Sequence, residues 1–147
     1  MNLTMRAARD LHGAIDRILA GRPKALRVNN EDQIVVEPFS FAGDAALALA
    51  ININRLKPHV DAHNEAYRRI VMVHSKGTGS VKQDTPEYGL VFEAENKLLD
   101  VEIEGGVKLL RVPLADIKPT DNKLSPGELA RLAPVLKFDQ PKYDESE

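Results

Sequence analysis

The chain has 147 residues, 43% of them hydrophobic and 29% charged, with a formal charge of −2. These are the proportions of a folded globular chain, and the near-neutral balance gives no global pull towards nucleic acid. The absence of cysteine excludes disulfides, thiol catalysis and cysteine-ligated zinc, and no apolar run reaches the length needed to cross a membrane.

Aromatic residues make up 5% of the chain and tryptophan is absent, which argues against stacking platforms and aromatic-lined pockets. The start, Met1-Asn2-Leu3-Thr4-Met5-Arg6, has no signal-peptide core, so the reading places the chain in a reducing bacterial cytoplasm. An amphipathic helix is predicted from Met5 to Ala20. Thr4 serves as its N-cap and Gly21 as the left-handed residue after its end. Ala7, Ala8, Leu11, Ile15, Ile18 and Leu19 line its apolar face, with His12 at the edge.

Two β-type runs follow, Ala25 to Val28 and Gln33 to Glu37, joined through Asn29-Asn30-Glu31-Asp32 as a hairpin. Pro38 ends the second run. The stretch Ala42 to His74 then carries a heptad seam: Ala42, Ala46, Leu49, Ile53, Leu56, Val60, His63, Tyr67, Ile70 and His74 alternate in steps of four and three. Fully helical, it would run about 50 Å. Ser40 or Asp44 caps it. Its first half is apolar nearly all round and predicts a central core element, whereas the second half has one stripe and a charged back. Pro58 predicts a kink near residues 54–58, or else a break that begins a separate helix.

A polar loop from Lys76 to Asp84 precedes Thr85-Pro86-Glu87, which reads as an N-cap with proline at the first helical position. The following helix would bear Tyr88, Val91, Phe92 and Leu99, with Leu98 alongside, and form a helical hairpin with the long helix; a strand over Tyr88 to Phe92 is the alternative. Val101 and Ile103, a Gly105-Gly106 turn and a return from Val107 to Val112 predict a second hairpin. Ser125-Pro126-Gly127-Glu128 is a capping box opening a helix with Leu129, Leu132 and Val135 inward. The whole reads as one α+β domain over 1–136, with a long central kinked helix, shorter helices and small antiparallel hairpins. A polar flexible tail over 137–147 follows it.

Candidate chemistry is sparse. His59 and His63 share a helical face, but no third ligand is evident and Glu is missing from the intervening Val60-Asp61-Ala62, so no metal site is assigned. Lys76, Thr78 and Ser80, with Arg68 and Arg69, offer cations and hydroxyls to an anion such as a nucleotide, although the glycine spacing fits no phosphate-loop pattern. Glu87, Glu93, Glu95, Asp100, Glu102 and Glu104 make an acidic stretch. No serine sits in a nucleophile elbow, and neither a catalytic residue nor a cofactor is expected. The interaction seam assigned is Val60, His63, Tyr67, Ile70 and His74, where His and Tyr stand in place of the aliphatics of a sealed seam.

Three stretches resemble a loose group of small phage- and prophage-encoded proteins: Leu3 to Leu11, Phe41 to Ile70, and Leu98 to Ile103 followed by Val112 to Ile117 and Leu124 to Leu136. The resemblance rests on apolar and small-residue patterns and transfers no catalytic residue. It implies a phage accessory or structural protein, cytoplasmic in the host cell or virion-associated. Its partners would be further copies of itself or another phage or host protein, with neither membrane nor nucleic acid among them. Inhibition of a host enzyme or defence complex through the acidic stretch, and binding of a small anion, are the alternatives.

Overall fold

α1 (Met5–Ala20) forms where the sequence supplies both of its ends. Thr4 Oγ1 accepts a hydrogen bond from the Ala7 amide at 3.1 Å, and the Gly21 amide donates to the Arg17 carbonyl at 2.9 Å. Gly21 adopts φ +94°, and a Cβ there would meet Val36 Cγ1 at 2.6 Å and the Glu37 carbonyl oxygen at 2.7 Å. Only glycine satisfies both demands. Ala8, Leu11, Ala14, Ile15 and Ile18 are buried, while Leu19, expected on the same face, is exposed. The computed structural model describes residues 3–118 and 124–137.

The first hairpin is longer than its apolar runs suggest. β1 (Arg22–Val28) and β2 (Glu31–Glu37) pair antiparallel from Arg22↔Glu37 to Val28↔Glu31. Glu31 and Asp32 thus belong to a strand and the loop is only Asn29-Asn30, with φ of 54° and 62°. That is the left-handed pair a two-residue turn requires, and asparagine tolerates it. β3 (Ser40–Phe41) pairs antiparallel with β5 (Ile117–Lys118), a contact between segments far apart in sequence.

α2 (Ala45–His74) is the long helix, 30 residues in one piece. It starts later than the seam does, because the Ala42 amide is taken by the Asp116 carbonyl. Ser40 lies in β3, and Asp44 occupies the capping position, its carbonyl accepting from Ala48. The helix passes Pro58 unbroken, so no separate helix begins there. Proline removes one N–H but leaves the remaining ladder to carry the helix. Burial along it follows Ala45, Leu49, Asn52, Leu56, Val60 and His63. The first half is therefore covered on one stripe rather than all round: Ala46 is exposed and Leu47 is 62% exposed.

α3 (Pro86–Leu99) is a helix throughout, which settles Tyr88 to Phe92. Thr85 holds the N-cap position, but its hydroxyl donates to the Lys82 carbonyl at 2.6 Å instead of capping. The second hairpin does not form, because its backbone groups find partners elsewhere. The Ile103 amide donates to the Leu3 carbonyl and the Met5 amide to the Val101 carbonyl, each at 2.8 Å. Leu110 gives both its amide and its carbonyl to the buried Asn52 side chain, at 2.7 and 2.8 Å. β4 (Val112–Pro113) pairs instead with β6 (Leu136–Lys137), and in parallel. Between them in sequence lies α4 (Pro126–Leu132), opened by the full Ser125–Glu128 capping box. Leu132 and Val135 are buried and Leu129 half-buried. The expected flexible tail, apart from Lys137, lies outside the described residues.

The architecture is α+β, with four α-helices and three two-stranded sheets among the described residues. Its contacts gather into two compact units: Met1–Asp10 with Arg55–Val107, and Leu11–Asn54 with Lys108–Glu147. The first is helical, centred on Leu56, Val60, Val91, Leu99 and Ile103. The second holds the three strand pairs around Leu11, Ile15, Leu49, Val112 and Leu132. No helix among the described residues is long and apolar enough to cross a membrane.

Candidate interaction surface

In the helical unit, α3 is tied to α1 by polar side chains. Arg6 reaches Asn96 Oδ1 at 3.2 Å and Asp100 at 3.5 Å, and Arg9 reaches Glu95 at 3.2 Å. The order of these pairs, rising on α1 and falling on α3, makes the two segments antiparallel. They line a shallow cleft of about 250 Å³ in which Phe92 stands 58% exposed. The ion pairs are surface ones and contribute little to stability, so their role is to fix direction.

The assigned seam divides in two. Val60 and His63 are buried inside the helical unit, and neither His63 ring nitrogen has a hydrogen-bond partner among the described residues. One turn on, the same stripe emerges: Tyr67 is 37% exposed, and Ile70, Val71 and His74 are half-buried. Val73, beside the stripe, is 73% exposed. From Asn64 to Leu90 no residue is buried. The helix thus continues for three turns beyond its last fully buried residue, still presenting apolar side chains that are exposed or only half-buried.

The charged back of this segment is internally paired. Glu65 accepts from Arg68 at 3.0 Å and from Arg69 at 3.3 Å. The Arg68 hydrogen bond and charge hold the Glu65 carboxyl below its ordinary range, and Glu65 raises Arg68 in turn. Neither arginine lines the open cleft of about 240 Å³ bordered by His74, Lys76, Ser80, Lys82, Thr85 and Glu87. α2 ends there in a Schellman turn: Lys76 takes φ +55° and the Gly77 amide bonds the Met72 carbonyl at 2.9 Å. The loop hydroxyls serve the loop itself. Ser75 Oγ accepts from the Gly79 amide at 3.0 Å, and Thr78 Oγ1 donates to the Ser75 carbonyl at 3.0 Å. The structure therefore brings Lys76 and Ser80 together, separates them from Arg68 and Arg69, and adds a carboxylate to the same wall.

The acidic stretch is partly neutralised, with Glu93 near Lys97 at 3.7 Å and Glu95 and Asp100 paired to arginines of α1. Among the described residues no three histidine or carboxylate side chains converge on a point where a metal ion could sit. No family model, curated protein or solved structure matches this chain.

Proposed function

We propose that this chain is a non-enzymatic interaction protein, an accessory or structural component of a phage or prophage. In this reading it self-associates through the α2 stripe Tyr67–Ile70–Val71–His74. The observation that carries the reading is the continuity of that stripe. Leu56, Val60 and His63 are covered by the chain's own residues, and the next three turns present the same face with nothing buried. Tyrosine at such a position suits an interface, offering a large apolar ring and a polar tip.

Light scattering on a size-exclusion column tests this. Tyr67→Glu places a charge in the stripe and should lower the assembly mass at every concentration while helical circular dichroism stays unchanged. An unchanged mass refutes the stripe as a contact, and loss of helix would assign Tyr67 to internal packing.

A further inference from the structure

The β1–β2 hairpin is a second surface, independent of the α2 stripe. Between Arg22 and Pro38 none of the described side chains is buried, and Ile34 is 79% exposed. Among the described residues neither strand has a second neighbour: the hairpin is a two-stranded sheet there, and β3–β5 and β4–β6 are separate. A two-stranded hairpin with both faces wet is marginal alone, and its outer edges are templates for further strands.

The turn fixes which groups those edges offer. With a two-residue loop, Val28 and Glu31 form the closing hydrogen-bonded pair, and pairing then alternates along the ladder. Arg27/Asp32, Ala25/Ile34 and Pro23/Val36 are therefore the pairs whose backbone groups point outward. Pro23, with no N–H to give, falls at an outward position, where proline is tolerated.

Charge selects the occupant. β1 carries Arg22, Lys24 and Arg27 and no acid; β2 carries Glu31, Asp32 and Glu37 and no base. Charged edges ordinarily prevent strand addition, but here the two signs are segregated. Two β1 edges repel, two β2 edges repel, and a β1 edge attracts a β2 edge. Arg22 and Glu37 already have partners within the chain, whereas Arg27 and Asp32 are exposed and have no ion-pair partner among the described residues.

We infer that the basic β1 edge of one copy accepts the acidic β2 edge of another, antiparallel and in the register of the hairpin itself. Arg27 then meets Asp32 of the next copy and Ala25 meets its Ile34, and Pro23, Ala25, Ile34 and Val36 continue one apolar face across the junction. Such a contact is heterologous: each copy keeps one open edge of each kind, so assembly is open-ended unless it closes into a ring.

Capped edges test this by sedimentation velocity in a Tyr67→Glu background, which removes the α2 contact. Ala25→Pro blocks the β1 edge and Ile34→Pro the β2 edge, each at an outward amide that the hairpin does not use. The uncapped protein should grow with concentration, and each capped variant alone should be monomeric. An equimolar mixture should form dimers and nothing larger, since one good β1 edge meets one good β2 edge. Monomeric behaviour of the uncapped protein, self-association of either capped variant alone, or a mixture that stays monomeric overturns the inference. If a proline unfolds the hairpin, Arg27→Asp and Asp32→Arg replace the caps, and each alone should be monomeric. Their equimolar mixture, in which both kinds of junction again pair opposite charges, should grow with concentration. Self-association of either alone, or a mixture that stays monomeric, overturns the inference.

Discussion

Asn52 is the polar residue on which the strand-bearing unit most depends, and replacing it by alanine measures that dependence. Its side chain is fully buried on α2 and closes a two-bond ring with one residue of the extended segment before β4. Nδ2 donates to the Leu110 carbonyl at 2.8 Å and Oδ1 accepts from the Leu110 amide at 2.7 Å. Asn52→Ala leaves both backbone groups unpaired and opens a small void. Two lost bonds at about 0.5–1.5 kcal/mol each, plus the void, predict a loss of about 2–4 kcal/mol. For a chain of this length that is a fall of roughly 10 °C in Tm. Urea unfolding followed by circular dichroism at fixed pH is the assay. Asn52→Asp is the control: it keeps the acceptor but sets a carboxylate oxygen against the Leu110 carbonyl, and should lose at least as much at neutral pH. A change under about 0.5 kcal/mol for Asn52→Ala would mean that the ring does not hold the segment, and the reasoning would fail.

Three further perturbations separate the other forces. Gly21→Ala should cost more than about 2 kcal/mol in the same assay, because the added carbon meets the β2 backbone at a positive φ; a neutral result would mean the α1–β1 corner relaxes freely. His63→Leu should stabilise the helical unit by about 1 kcal/mol, since it removes two buried nitrogens that have no partner among the described residues; destabilisation would reveal a hidden partner for the ring. For Glu128, burial works to raise the carboxyl, but the Ser125 amide and the Arg22 guanidinium outweigh it and the group titrates below its ordinary value. A depressed carboxyl contributes stability that is complete above the ordinary carboxylate range and lost as pH falls through the folded value. Glu128→Gln should therefore be less stable than the parent at neutral pH and converge with it in acid; parallel pH profiles would exclude the pairing.

Features governed by neighbouring residues were legible in the sequence. Thr4 and Gly21 bound α1, Asn29-Asn30 turn the hairpin, and Ser125 with Glu128 open α4, each by rules that act within a few residues. What escaped were choices of distant partner. Gly105-Gly106 has a turn's composition and both residues take positive φ, yet Val101, Ile103 and Leu110 bond to Met5, Leu3 and Asn52 instead of to one another. The parallel β4–β6 pair has no local signal at all. Asn52 did leave a trace: it stands at a stripe position between Leu49 and Leu56, where only a polar group with a dedicated partner is tolerated. The α2 seam was legible as a period, but the point where burial along it ends, between His63 and Tyr67, is set by packing against residues distant in sequence and has no local signal.

The most direct measurement of the central claim is the molar mass of two variants by light scattering. An Arg27→Asp protein, its hairpin edge blocked, is compared with the same protein carrying Tyr67→Glu. The first should form a discrete assembly held by the α2 stripe, and the second should be monomeric with the same helical circular dichroism. Equal masses for the two would contradict self-association through Tyr67–His74.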